Sequence, residues 1–319
     1  MNPTTTQQTR RQFGQQAIGT TATCLTALSH ASQAAETIAP TKPFSLKYIL
    51  GSPMYGTTPL PVVSQQAKVI GANYIDLWPR PHADHREQMR TMGRLKFQQM
   101  LQKNNLKLGM LTRYDLGPYR LASEIELLRD FGGKLIVCGA QQQTGDSLKK
   151  RVAKFVESMK PHVAIAEAHD VVIGIENHGG NLLSSPDSIR YFADCVKSPH
   201  LGLAMAPYHL PQDPTLIGSL IRHLGKEHLA FFQAWQHGKG CMKKLPKADE
   251  LLQMPGRGKL DFQPIVAALR DIQYDGWTEI FMHPVPRGIP ILPTTAEVSA
   301  EINQARNYLS RCVSQVNRQ

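Results

Sequence analysis

Residues 171–178 read VVIGIENH, an apolar run rich in β-branched residues that ends in a carboxylate, an amide and an imidazole. Such a continuous apolar run is typical of a strand that is buried on both faces, as in a parallel sheet. Burying the carboxylate of Glu176 without a partner would cost several kcal/mol. We therefore predict that Glu176 lies at a strand end, where solvent or a positive group can reach it.

The same arrangement recurs along the chain. A short apolar run, a polar or glycine-containing loop and a longer segment with helical periodicity follow one another eight times. This number of alternations over about 250 residues predicts an α/β fold of the (β/α)8 TIM barrel type. An open, doubly wound parallel sheet is the alternative. The apolar runs are LKYILG, NYIDLW, LKLGML, KLIVCG, VVIGIE, LGLAMA, LAFFQAW and WTEIFMH.

The N-terminal segment has a different character. Its TRRQF stretch contains the Arg10-Arg11 pair and is followed by a mildly apolar run and then by small residues. This is the order of a secretory signal, and TRRQF resembles a twin-arginine export motif. We predict a signal peptide over residues 1–35, a linker over 36–44, a single barrel domain over 45–319, and a periplasmic location. A disordered tail rich in Thr and Gln is the alternative.

The composition argues against several classes of function. The chain is 41% hydrophobic and 19% charged, which is ordinary for a globular protein. It has no GxGxxG and no GxxxxGK[ST] motif, so we expect no nucleotide cofactor. No apolar run reaches the ~18 to 20 residues of a membrane span. The formal net charge is +11, but the basic residues are dispersed and do not favour nucleic acid as a partner.

Polar residues follow the predicted strands. In a (β/α)8 barrel the active site lies at the ends of the strands and in the loops that follow them. Because side chains alternate along a strand, Glu176 and His178 share one face, and Glu279, Phe281 and His283 share one face of the last strand. If both faces point inward, Glu176 and His283 approach each other at the mouth. One carboxylate with two or three imidazoles suits Zn, Mn, Fe or Co better than Ca.

These motifs resemble those of the xylose isomerase-like TIM barrels, the superfamily of sugar phosphate isomerases and epimerases that also contains endonuclease IV. VVIGIENHGG is similar to the strand-five motif that supplies a metal-binding, acid–base glutamate. LGLAMAPYHL and LAFFQAWQ are similar to the motifs of strands six and seven, and GRGKLDFQPIVAALRDIQYDGWTEIF to the passage that leads into the last strand. The resemblance covers roughly residues 45–310.

Three positions depart from the family pattern. Ala206 stands where the family has the strand-six aspartate, Gln233 where it has the strand-seven histidine, and Phe281 where it has the closing glutamate. Glu176 matches the strand-five glutamate, and His209 matches the histidine of the strand-six motif. The resemblance therefore implies a rearranged site for a divalent metal (Mn, Zn, Co or Mg), and a site without metal is the alternative.

The resemblance implies an enzyme that removes a proton next to a carbonyl or hydroxyl of a carbohydrate, and the N-terminal segment adds the expectation that this enzyme is exported. The candidate catalytic residues are Glu176, His209 and His283. The candidate metal ligands are Glu176, His209, Gln233 and His283. The candidate substrate contacts are Tyr55, Arg113, His178, Tyr208, Trp235, His237 and Arg287. A non-catalytic carbohydrate-binding barrel and a lyase acting on an oxidised sugar are the alternatives, and the three departures argue against endonuclease-like binding of DNA.

Overall fold

Eight parallel strands close into a barrel in the computed structural model. Each strand pairs with the next one along the chain, and the last pairs with the first. The predicted (β/α)8 barrel is confirmed, and the open doubly wound sheet is wrong. The strands are β1 (Lys47–Gly51), β2 (Tyr74–Leu77), β3 (Lys107–Thr112), β4 (Leu135–Gly139), β5 (Val172–Glu176), β6 (Leu201–Met205), β7 (Leu229–Ala234) and β8 (Trp277–Ile280).

The structure describes residues 43–238 and 242–319. The predicted signal peptide over 1–35, and the predicted linker up to residue 42, lie outside the described residues. Across the described ranges, no helix combines the length and the apolar character needed to cross a bilayer.

Helices surround the barrel, and four of those in the described residues begin at a residue whose side chain caps the helix. Asp213 accepts hydrogen bonds from the backbone N–H groups of Thr215 and Leu216, and Thr294 forms a reciprocal capping box with Glu297. The α-helices of the described residues are α1 (Leu60–Val69), α2 (His85–Met92), α3 (Arg94–Lys103), α4 (Ala122–Asp130), α5 (Leu148–Ala168), α6 (Pro186–Cys195), α7 (Pro214–His228), α8 (Lys247–Glu250), α9 (Gln263–Asp271) and α10 (Thr295–Val316).

Strand alternation separates two apolar clusters. The larger cluster packs the strands against the helices and includes Leu50 and Leu111. The smaller cluster includes their chain neighbours Ile49 and Met110. Because consecutive strand residues point to opposite faces, the smaller cluster fills the barrel interior. The interior is therefore a packed core, and the space for a ligand lies above it, where the strands end.

Candidate active site and metal centre

Glu176 ends β5 and points into the barrel. Its neighbour Ile175 belongs to the cluster that faces the helices, so the next side chain faces the interior. Glu176 is only 3% exposed. Burial raises the pKa of Glu176 to about 8, although the Tyr114 hydroxyl and the Arg287 charge act in the opposite direction. Its Oε2 atom is buried and has no hydrogen-bond partner among the described residues, so this oxygen is available to a ligand.

Two imidazoles complete a cluster with this carboxylate. One potential ligand atom from each of Glu176, His178 and His209 lies within 4.8 Å of the other two. Nδ1 of His178 lies 2.7 Å from the carbonyl oxygen of Gly179, to which it can donate, so Nε2 is the nitrogen left for a cation. Nε2 of His209 is also buried and has no hydrogen-bond partner within the described part of the chain. Two imidazoles and a carboxylate form a donor set that suits a divalent transition metal.

The environment keeps both imidazoles neutral. Burial lowers the pKa of His178, and the backbone bond to Gly179 offsets only part of that effect. Burial also lowers the pKa of His209 to about 3, with smaller contributions from His178, His237 and Arg287. A neutral imidazole is the form that binds a metal ion.

Asn177 fixes the two strand ends that carry the cluster. It is fully buried between Glu176 and His178 in sequence. Its Nδ2 donates to the carbonyl oxygen of Ala206 at 2.9 Å, and its Oδ1 accepts from the N–H of Ala206 at 2.7 Å. The side chain thus binds the backbone beyond β6 as a neighbouring strand would. Ala206 lies three residues before His209, so this pair of bonds joins the two halves of the cluster.

The cluster differs from the predicted ligand set at two positions: it contains His178 in place of His283, and it lacks Gln233. Glu176 and His209 belong to it, as proposed from the sequence. His178, assigned to substrate contact, supplies the third donor, and its shared face with Glu176 was the sequence signal for this. His283 lines the same cavity but is not a member of this three-residue cluster, and Gln233 contacts Glu279.

The positions of these two residues have a physical reason. The ring of His283 stacks on that of His82, with centroids 4.7 Å apart, and packs edge-on against Phe281 at 4.5 Å. Nε2 of Gln233 lies 3.4 Å from Oε2 of Glu279, which places it in the barrel interior. Both side chains are therefore held by neighbours outside the cluster.

Two further acids, Asp76 and Glu279, lie buried in the barrel interior, and Asp76 was not among the residues selected from the sequence. Oδ2 of Asp76 accepts from Nε1 of Trp78 at 2.5 Å and from the Thr112 hydroxyl at 2.7 Å. Burial raises the pKa of Asp76 to about 7. Burial, together with the charge of Asp76, raises the pKa of Glu279 well above its ordinary range. A lone Asp inside an apolar strand was the available sequence signal.

An open cavity of about 790 Å³ lies over the cluster, and we call it the main cavity. Four of the residues predicted from the sequence to form the site, apart from Glu176, line it: His178, His209, His283 and Arg287. His82, Tyr114 and Asn181 also line it and were not selected from the sequence. Tyr208, Trp235 and His237 instead line a smaller adjoining cavity.

Tyr55 and Arg113 lie outside both cavity linings. Tyr55 is fully buried, and its hydroxyl lies 3.0 Å from that of Ser299. Arg113 forms ion pairs with Asp115 at 2.8 Å and with Glu124 at 2.6 Å. Each side chain is thus engaged in packing or pairing away from the substrate space, so we assign neither one a substrate contact.

The fold and the site define a TIM barrel with a carboxylate–imidazole cluster at the C-terminal mouth of its strands. The sequence model of the family described as xylose isomerase-like TIM barrel matches residues 64–303, and the chain belongs to this family.

Relatives with described activities are distant. A D-psicose 3-epimerase from Enterocloster bolteae is 26% identical over 127 residues, which span 39% of this chain and 38% of that protein. The IOLI protein, crystallised with a zinc atom, aligns with a TM-score of 0.65 and 15% identity over 85% of this chain and 99% of its own. A D-psicose 3-epimerase from Clostridium cellulolyticum H10, with D-tagatose, aligns with a TM-score of 0.62 and 15% identity over 84% and 99%. At this identity the two structures support the fold alone.

Proposed function

We propose that this protein is a metal-assisted carbohydrate isomerase or epimerase, which removes a proton next to a carbonyl or hydroxyl of a sugar. The observation that carries the proposal is the cluster of Glu176, His178 and His209, whose ligand atoms lie within 4.8 Å of one another beneath an open cavity. The sequence relative named as a D-psicose 3-epimerase supports a sugar that carries a ketone as the substrate.

The three residues would hold a divalent cation. Their fit rests on two buried atoms, Oε2 of Glu176 and Nε2 of His209, which have no hydrogen-bond partner among the residues that the structure describes. Such a cation, when bound, polarises substrate oxygens and stabilises the negative charge that develops as a proton leaves. The chain itself supplies the acid–base group. We assign this role to His283, because it lines the same cavity but does not belong to the cluster. Arg287 lines the cavity beside it and offers a positive charge to substrate oxygens.

A lyase acting on an oxidised sugar is the second candidate. Glu176 is the one buried carboxylate among the described residues that line the main cavity. A symmetrical mechanism with two carboxylates therefore lacks its second member, whereas elimination needs a single base and an electrophile. The two reactions differ in product, because elimination yields an unsaturated sugar with new ultraviolet absorption.

Solvent exchange tests the proposal without knowledge of the product. The protein is loaded with Mn²⁺, Zn²⁺ or Co²⁺ and incubated in D₂O with D-psicose, D-tagatose, D-fructose or L-ribulose. We expect NMR to show loss of a carbon-bound proton from at least one sugar. Glu176→Gln and His178→Ala should each lower the bound metal at least about tenfold and abolish exchange. Glu157→Gln alters a carboxylate on α5 whose side chain is 68% exposed and serves as the matched control.

Two results would refute this proposal. The first is wild-type protein that takes up none of the three metals. The second is a metal-loaded protein that exchanges no proton with any sugar of the panel.

Export is a further part of the proposal. It is supported by the Arg10-Arg11 pair in TRRQF and by the small residues near Ala34. Cell fractionation of a bacterium that expresses the full chain should recover the protein in the periplasm. Replacing both arginines by lysine should retain it in the cytoplasm, and an unchanged distribution would contradict the twin-arginine route.

A further inference from the structure

A second cavity of about 440 Å³ adjoins the main cavity, and we call it the side cavity. The two share the lining residues His178, His209, His283 and Arg287. Glu176 lines the main cavity only. The shared residues therefore form a passage beside the proposed reaction centre, and a ligand over Glu176 can extend through it.

One wall of the side cavity is apolar, while histidines and Arg287 line much of the rest. The rings of Tyr208 and Trp235 stack with centroids 3.8 Å apart and planes only 4° apart. Leu210 continues this wall and is almost fully buried. Met242 closes it from the outside with 87% of its surface exposed. An exposed methionine beside a cavity is a typical adaptable binding contact, because its flexible thioether can follow the shape of a ligand.

We propose that the natural substrate is a glycoside whose reacting ring carries a ketone at a carbon other than the anomeric one. Its anomeric carbon carries a second ring through the glycosidic oxygen, so the carbonyl beside which the proton is removed stays free. The reacting sugar occupies the main cavity, and the second ring lies in the side cavity against Met242 and Leu210. This inference rests on the proposed function and specifies its substrate. Each cavity alone falls within the range of about 300–1,000 Å³ that holds a drug-sized ligand. A free monosaccharide occupies one cavity and leaves the apolar wall of the other without a contact.

Matched ligands test the inference. Isothermal titration of the metal-loaded protein compares D-glucose with 4-nitrophenyl β-D-glucoside and with cellobiose. For D-xylose and D-galactose, the free sugar is likewise compared with its 4-nitrophenyl β-glycoside and with a disaccharide. These ligands lack the ring ketone and report binding alone. We expect at least one glycoside to bind about tenfold more tightly than its free sugar, a difference that contact with one additional ring can supply. A larger gain for the aryl glycosides identifies an aromatic aglycone, and a larger gain for the disaccharides identifies a second sugar.

A substitution in the side cavity locates the second ring. Met242→Asp places a charge in its wall and, because the side chain is exposed, leaves the core intact. We expect it to reduce the glycoside-to-sugar affinity ratio to about one. Leu95→Asp, on α3 with Leu95 70% exposed, is the matched control and should preserve the ratio.

Three outcomes would overturn the inference, and they are distinguishable. Equal affinity for glycosides and free sugars, with deuterium exchange intact, refutes the glycoside and leaves the proposed function standing. A gain that persists in Met242→Asp places the second ring outside the side cavity. Absence of both binding and exchange refutes the proposed function and the inference together.

Discussion

Replacing Asp76 by Asn should change the free energy of unfolding, relative to wild type, in a pH-dependent way. The difference between variant and wild type should be more favourable to the variant at neutral pH than at acidic pH. Asp76 is fully buried, and the bonds from Trp78 and Thr112 reach only its Oδ2 atom. Its other oxygen, Oδ1, has no partner among the described residues. Asn keeps the accepting oxygen and imitates the protonated acid, so the variant carries no charge at any pH.

The magnitude follows from the pKa of Asp76 in the two states. Burial raises that pKa from its ordinary value of 3.8 to about 7. A raised pKa means that the folded state keeps a proton which the unfolded chain has lost. Between these two values the wild type therefore loses about 1.4 kcal/mol of unfolding free energy for each pH unit of increase. Summed from pH 5 to pH 7, the loss is about 2 kcal/mol, and above about pH 8 it levels off. The variant lacks this loss.

Urea unfolding at pH 5 and pH 7 in the presence of a chelator measures the effect. The free energy of unfolding of Asp76→Asn minus that of wild type should rise by about 2 kcal/mol between the two pH values. Asp146→Asn changes an aspartate whose side chain is 86% exposed, and its difference from wild type should stay within about 0.5 kcal/mol. If Asp76→Asn shows the same difference at both pH values, the folded protein does not hold Asp76 protonated and the reasoning is wrong.

Three further substitutions test the framework of the site. Glu124→Ala leaves Arg113 without its buried partner and should lower the free energy of urea unfolding by about 3–5 kcal/mol, whereas a loss below 1 kcal/mol would contradict this pairing. Gly51→Ala places a Cβ atom 1.8 Å from Oε1 of Glu279 and should cost at least about 1–3 kcal/mol, part of which Glu279→Ala should restore in the double variant. Tyr55→Phe removes a buried hydroxyl contact and should cost about 1 kcal/mol in the same assay; an unchanged stability would speak against it.

The barrel could be predicted because its signals are periodic. Apolar strands and amphipathic helices alternate eight times, and this repetition survives an error in any single element. Side-chain parity then predicted that Glu176 and His178 share a face. Such arguments hold within a strand, where the backbone geometry fixes the direction of each side chain.

The alternation of side-chain directions ends where a strand ends. Beyond that point the site could not be predicted in full. The direction of His178 depends on its loop, in which its N–H donates to the carbonyl oxygen of Leu183 at 3.1 Å. Arg113 was expected at the substrate because it follows β3. Its ion-pair partner Glu124 lies on α4, and no local sequence pattern predicts a pairing between these two elements. The ligand exchange between His178 and His283 arose in the same way, from contacts made across the mouth.

The pair of hydrogen bonds between the Asn177 side chain and the Ala206 backbone has a mechanical consequence. The two bonds join the residue after Glu176 to the backbone that leads to His209. We therefore expect the loops beyond β5 and β6 to move without separating the two strand ends. Chimeras that exchange those outer loops should therefore keep the spacing at the mouth. The Asn177 side chain lines neither cavity. Changes in the loops that contact the substrate can therefore alter specificity while Glu176 and His209 stay aligned.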